Sequence, residues 1–405
     1  MTQQTRCPVP HGARKTSRGD DASSPAVELI GDTWHVRGHD AVRQVLRSAE
    51  VTQAGFAAET VRRSQPRARR PVLYNDGPEH RDQRRKIARY FAPATVGKKY
   101  RELMEERADA LVADIAARGR VDLRPVTMRY SVDVASQVVG LTNSDRDAMA
   151  KRLEAFFDST GLPPIESGGP AGRFGIIVSA LRNVRTMAPL MRFNRRDVKP
   201  AIAARRTHPQ QDVISHLIES GYSDEEILIE CVTYGAAGMV TTREFISMAT
   251  WHLLQNDSVR AQYLAGDQAE RYRILHEVLR LEPVVGHLYR RTRTTVELDD
   301  GTRIPAGSLV DLYIRGGNAD EQAVGTDPLS LCPHRELADG VREEALSFGD
   351  GSHRCPGNAI AIQESDVFLT RLLALPVRLA SSPRIEWDEL ISGYSVRDIV
   401  VEVAR

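Results

Sequence analysis

One cysteine of this chain stands where a thiolate is favoured over a thiol. In the stretch SFGDGSHRCPGNAIAIQES, residues 347–365, Gly349 and Gly351 permit bends closed to other residues, and Pro356 suits the first turn of a helix running on through Leu375. Cys355 then sits at a helix N-terminus, where unpaired N–H groups and the positive end of the dipole stabilise a sulfur anion. Such a sulfur can be a nucleophile, a redox sensor or a metal ligand, and a buried structural cysteine is the fourth reading. Position alone leaves the four open.

The surrounding pattern separates them. Phe348, Gly351, Cys355 and Gly357 fit F-x-x-G-x-x-x-C-x-G, with His353 two residues before the cysteine. This stretch resembles the haem-binding loop of the cytochromes P-450, the haem-thiolate monooxygenases of the soluble bacterial type. The resemblance implies haem b as cofactor and Cys355 as its proximal iron ligand, with electron donation from sulfur favouring O–O cleavage on the opposite face. It runs over about residues 27 to 405, with the family's motifs in order.

Glu277 and Arg280 in HEVLRLEP are three apart and share a helix face. Alone they read as a solvated surface pair; in the family an E-x-x-R pair at this place is a buried network that braces the cysteine loop. The same resemblance assigns His80 and Arg84, four apart in NDGPEHRDQRRKIARYF, to the haem edge with Arg290 and His353, as partners for two propionates. Arg291 is adjacent to Arg290, so that register is open by one residue.

A long helix over 223–255 opens with a capping box, Ser223 and Glu226, and is about 48 Å long at 1.5 Å per residue. Gly235 and Gly238 in its middle each cost about 1 kcal/mol relative to alanine, either for close helix packing or to leave room for a flat macrocycle and dioxygen. AGMVTT resembles the family's oxygen-activation stretch and makes Gly238 and Thr241 the catalytic candidates, with Thr241 opening a kink or bulge. The family's carboxylate before that threonine is Val240 here, which can neither donate nor accept a proton. Glu244, one turn on, reads as a solvated side chain or as a substitute acting through water. Other departures are Pro356, Ile362 and Ala319, where leucine, arginine and arginine are common.

By resemblance the substrate pocket is walled by the 52–72 and 159–175 loops, the 234–241 helix segment, the 284–288 turn and the turn near 392–396. Phe56, Ala237, Val240, Val284, Val285 and Leu288 suggest an apolar lining, and Tyr234, His287 and Tyr394 polar contacts. Arg81, Arg85, Lys86 and Arg354 lie on the face expected to meet an acidic electron donor, a ferredoxin reduced by an NAD(P)H-dependent ferredoxin reductase.

The elements needed to hold these residues are mostly helical: 79–91, 98–118, 124–141, 144–158, 176–194, 223–255 and 267–281, with a helix in DAVRQVLRSA. VELIGDTWHV reads as a hairpin, and TTVELDDGTRIPAGSLVDLYI as short strands. The fold class is mainly α with a minor β region and a long central helix over haem, a single domain over 26–405 after a polar segment, 1–25, too poor in apolar residues to order. In 405 residues, 55 basic against 54 acidic side chains give no global attraction to nucleic acid or an anionic membrane. Four cysteines without CxxC spacing indicate neither a zinc cage nor a disulfide framework. No signal or spanning segment is present, so a soluble, cytoplasmic monomer is expected. The reading is insertion of one oxygen atom from O2 into a mostly apolar small organic molecule, and the excess of arginine over lysine associates weakly with specialised metabolism. Alternatives are a haem-thiolate peroxygenase or coupling or dehydrating enzyme, and a non-catalytic haem or ligand-binding sensor.

Overall fold

The computed structural model describes residues 12–16, 25–56, 58, 69–159, 188–388 and 392–404. A helical body carries a core that includes Met104, Ile115, Leu123, Phe193, Ile246 and Phe368, and a smaller core under the sheet includes Val42, Val310, Leu312 and Leu346. The hairpin pairs Val27–Ile30 with Thr33–Val36, and the second strand runs parallel to Leu309–Tyr313. His287–Thr292 and Val51–Gln53 complete this mixed five-stranded sheet. Val296–Glu297 and Arg303–Ile304 pair around the Asp-Asp-Gly turn.

The long helix is three consecutive pieces: Asp224–Tyr234, a π-helical segment Gly235–Val240, and Thr241–Gln255. Its capping box is present, with Ser223 Oγ accepting from Glu226 N at 3.2 Å and Glu226 Oε2 accepting from Ser223 N at 2.9 Å. The π segment ends at Thr241, whose Oγ1 donates to Ala237 O at 2.6 Å. A hydroxyl turned back on its own helix in this way loosens the ladder locally. Periodicity did not separate Lys199–Thr207, Val213–Glu219 and Asp257–Ala265 as helices. All three are short, and tertiary packing stabilises helices of that length.

Composition puts 12–16 in a disordered segment, but these residues are ordered by polar partners. Arg14 is buried and donates to Leu281 O and Arg315 O, and the Thr16 hydroxyl donates to Glu282 Oε2 at 2.5 Å. Burying Glu282 and Arg315 among these groups gives a polar segment a place that low hydrophobicity does not reveal. The expected absence of disulfides is also corrected. Cys332 is disulfide-bonded, to a partner outside the described residues, while Cys231 and Cys355 are free. Bridging depends on how close two Cα atoms come in the folded chain, which sequence spacing does not carry. Among the described residues, no helix is long and apolar enough to cross a membrane.

Candidate functional site

The cysteine loop is fixed mainly through its backbone. Gly351 has φ +65°, and a Cβ there would lie 2.3 Å from Leu46 O, so no side chain fits. Cys355 N donates to Phe348 O at 2.8 Å, closing the loop, and the Phe348 ring packs on the main core. Asp350, 4% exposed, caps Gly351 N at 2.8 Å and takes a salt bridge from Arg47 at 2.9 Å. The helix after the cysteine begins at Asn358, with Gly357 as its N-cap, rather than at Pro356. Cys355 therefore lies in the turn before the helix. Burial pushes its thiol up, while the Gly357 N–H, Arg84 and Arg354 act the other way.

Behind the loop, Glu277 and Arg280 form a buried two-pronged pair, with Nε to Oε2 at 2.7 Å and Nη2 to Oε1 at 2.8 Å. Glu277 Oε1 also accepts from Cys332 N at 2.9 Å and faces Arg335 Nε at 3.4 Å. Arg280 Nη1 donates to Asn318 O at 2.7 Å, and Asn318 Oδ1 accepts Leu346 N at 2.9 Å, just before Phe348. The chain of bonds thus runs from the ion pair into the loop. Arg335 and Asn318 were not singled out from sequence, because neither lies near the pair along the chain.

His80, Arg84, Arg290 and His353 come from three elements and meet at one edge of the loop. The rings of His80 and His353 stack with centroids 4.0 Å apart, and His353 Nε2 lies 3.2 Å from Asp76 Oδ1. Arg84 donates to Arg354 O at 2.6 Å. Arg290, 3% exposed, donates to two neutral acceptors, Gln53 Oε1 at 2.6 Å and Tyr289 O at 2.8 Å. Strand alternation resolves the register: Arg290 points inward, and Arg291 on the other face reaches Gly307 O. Burial depresses Arg290 to about 10 and His80 to about 4, the latter helped by His353 and Arg84. Asp76 and Gln53 join this cluster; the signal for Asp76 was its position as N-cap of Gly77–Phe91.

On the long helix, Thr241 is half-buried and Ala237 exposed. Gly238 faces away from that strip, since a Cβ there would meet Ala135 Cβ at 3.8 Å, and one at Gly235 would meet Leu153 at 3.6 Å. Both distances are ordinary contacts, so an alanine would fit at either position without displacing the neighbouring helix. Val240, 1% exposed, is buried rather than part of an open lining, because successive helix residues turn about 100° from one another. Glu244 is neither solvated nor free: fully buried, it pairs with Arg243 at 2.5 Å and accepts Ser395 Oγ at 3.0 Å and Val396 N at 2.7 Å. It clasps the long helix to the strand Gly393–Arg397.

The remaining pocket candidates divide. Phe56, at φ 55°, Val285, Leu288 and Tyr234 are half-buried, and Leu288 Cδ1 approaches within 3.7 Å of where a Gly349 Cβ would be. Val284 and Tyr394 belong to the core instead, with Tyr394 Oη donating to Glu282 O at 3.2 Å. His287 lies on the sheet face opposite Leu288 and Arg290, where Asp311 holds its Nδ1 at 2.8 Å and its ring stacks on Tyr313. The 159–175 loop, apart from residue 159, and most of the 52–72 loop lie outside the described residues.

A family model for cytochrome P450 matches residues 272–375, which hold the ion pair and the cysteine loop. The chain is 30% identical to the cyclomarin C epoxidase CymV of Salinispora arenicola over 304 residues, covering 73% of this chain and 70% of that one. It is 27% identical to the erythromycin C-12 hydroxylase of Saccharopolyspora erythraea, covering 84% and 81%. The fold is shared with CalO2, at TM-score 0.76 and 19% identity, covering 93% of this chain and 91% of that one.

Proposed function

Because this chain belongs to the cytochrome P450 family, we propose that Cys355 would hold the iron of its haem b through the thiolate and that His80, Arg84, Arg290 and His353 would receive the propionates. The protein is a haem-thiolate monooxygenase acting on a small organic substrate with electrons from redox partners. The observation that carries the residue assignment is the cluster at the loop edge. Among the described residues, two arginines and two stacked histidines crowd there around one nearby carboxylate, Asp76, and the hydrogen bonds of buried Arg290 go to neutral acceptors. Two carboxylates fit such a place, since each would lower the desolvation penalty of the cations. The free Cys355 thiol beside Arg84 supplies the donor type that haem-thiolate ligation needs.

When bound, the haem supplies dioxygen activation and oxygen transfer to the substrate. The chain's own part is to hold and shield. Glu277, Arg280 and Asn318 keep the cysteine loop rigid, Arg290 and His80 orient the cofactor edge, and Thr241 Oγ1 presents a hydroxyl on the open strip of the long helix. Half-buried Phe56, Val285 and Leu288, with exposed Ala237, favour a mostly apolar substrate. The relatives named above are an erythromycin C-12 hydroxylase and a cyclomarin C epoxidase, which supports a place in specialised metabolism. We assign the electron donor as a ferredoxin with its reductase, docking on the side of Arg81, Arg85 and Lys86, and the protein as soluble and cytoplasmic.

The test is spectroscopic. Reduced, CO-bound protein is expected to show the red-shifted Soret band of thiolate ligation, and titration with a compound library to show displacement of water from the iron for apolar metabolites. A band of the histidine-ligated type in the native protein would overturn the assignment of Cys355.

A further inference from the structure

Val240 leaves Thr241 without the neighbouring acid that proton delivery would use, yet the same helix carries another acid. Glu230 is 3% exposed. Its Oε1 accepts Val72 N at 3.3 Å, and its Oε2 has no partner among the described residues. It opens on a cavity of about 210 Å³ walled also by Tyr234, Tyr222, Gln83 and His216. The cations at this cavity are engaged elsewhere. Lys86 is paired with Asp82 at 2.6 Å, and Arg69 donates to Ser220 O at 2.8 Å while covering the Tyr222 ring.

The chamber is lined by polar side chains together with Val72, Ile87 and Leu217, and has room for several waters. Burial, with no opposing cation bound to it, raises Glu230 to about 8, so at neutral pH the acid keeps its proton. Glu230 and Tyr234 stand four residues apart, one turn, on the same side of Asp224–Tyr234, and the π-helical segment Gly235–Val240 leads from Tyr234 to Thr241. Tyr234 belongs to the chamber wall, and beyond it Ala237 is exposed and Thr241 half-open. Small Ala237 leaves that strip unobstructed by its own side chain.

We infer that Glu230 is a proton donor for Thr241, acting from this side chamber through ordered water and the Tyr234 hydroxyl, in the role that Val240 cannot fill. The inference rests on the monooxygenase reading above. The proton leaves Glu230 Oε2, passes by water and Tyr234 Oη to Thr241 Oγ1, and Thr241 passes its own hydroxyl proton towards the substrate side. The carboxylate recovers a proton from solvent at the chamber mouth. No electrons or heavy atoms move in this relay.

The experiment uses the haem-loaded enzyme with Glu230→Gln, Glu230→Asp, Tyr234→Phe and Thr241→Ala. Infrared difference spectra of the native protein at neutral pH are expected to contain the carbonyl stretch of a protonated carboxylic acid, shifted in D2O and lost in Glu230→Gln. Its absence from the native protein overturns the inference. Coupling, measured as product per NADPH for the compound giving the largest spin-state shift, is expected to fall about tenfold in Glu230→Gln, with peroxide rising. That is less than the hundredfold or more of a lone general acid, because ordered water still reaches Thr241. Adding Thr241→Ala to Glu230→Gln should lower it no further than the worse single change.

Native coupling in a Glu230→Gln protein that lacks the infrared band would show that the acid only anchors Val72. Should that variant fail to fold, Tyr234→Phe, which deletes one hydroxyl, is read in the same way. A reduced CO band of the thiolate type in each variant shows that the haem site is intact, so a failure of the relay is distinct from a failure of the family chemistry. A native protein without that band would remove both.

Discussion

The cysteine side and the long-helix side of this site are built by different means. On the cysteine side, Gly351, Asp350 and the backbone of Phe348 fix a short loop within ten residues, and Glu277, Arg280 and Asn318 tie it to the helix behind. Nearly every polar atom there has a hydrogen-bond partner of defined geometry. The long helix instead offers a π-helical segment, a back-bonded threonine, and adjacent residues that point into different surroundings. Val240 and Glu244 look like neighbours of the chemistry in sequence, but both are buried in the body. A loop whose backbone does the positioning is insensitive to such rotation; a helix presenting side chains is governed by it.

The greatest contrast is expected at Cys355. Cys355→His should abolish the thiolate-type CO band, whereas Cys231→Ser and Cys332→Ser should keep it. The band surviving Cys355→His would erase the distinction between the two sides. Next, Glu277→Ala leaves Arg280 buried without its carboxylate partner at a cost of about 3–5 kcal/mol, so the protein should be haem-poor or aggregated by absorbance ratio and gel filtration. Normal haem content would mean that the brace is dispensable.

Val240→Asp sharpens the comparison from the helix side. Restoring the family's acid places a carboxyl at a site 1% exposed, which should destabilise by a few kcal/mol and raise that carboxyl's pKa. A lowered Tm with unchanged substrate affinity is expected; weakened binding at unchanged Tm would put Val240 back in the pocket wall.

Glu230 gives a pH signature of similar or smaller size. Its folded pKa of about 8 lies above the ordinary 4.5, so between these values the native state binds more protons than the unfolded one. Stability should then fall as pH rises from 4.5 through about 8. Glu230→Gln should remove this slope, gaining on the order of a few kcal/mol above pH 8 and nothing near pH 4, as read by denaturant melts. Parallel slopes for the two proteins would count against a buried neutral acid.

The smallest effect on stability is expected for Thr241→Ala, which removes a hydroxyl bonded, among the described residues, to its own helix. Tm should move by less than about 1 kcal/mol equivalent, while peroxide release per NADPH rises. An unchanged ratio would take Thr241 out of the proton path and favour peroxide-driven chemistry.

Much of this was legible from residue order. The cysteine loop, the E-x-x-R pair, the capping box, the hairpin and the bulge before Thr241 depend on interactions within a few residues, or on a motif whose members are close in sequence. That His80, Arg84, Arg290 and His353 belong together was legible as well, although choosing Arg290 over Arg291 needed strand pairing. What sequence misassigned was facing. Val240, Gly238, Tyr394 and His287 have types suited to a pocket, and only the packing of neighbouring helices and the two faces of the sheet turned them away from it.

The sequence by itself determined the chemistry: a thiol in a glycine-bent loop, a charged pair one helical turn apart behind it, and a helix interrupted at Gly235–Val240. These follow from dihedral freedom, helical spacing and capping, which are local. Tertiary structure alone decided that Arg335 and Asn318 complete the brace, that residues 12–16 dock on Glu282 and Arg315, that Glu244 is a clasp, and that Glu230 has, among the described residues, an unpartnered oxygen at a side chamber. Each depends on which groups from distant segments share a low-dielectric interior, where an unpaired polar atom is expensive and a paired one is held.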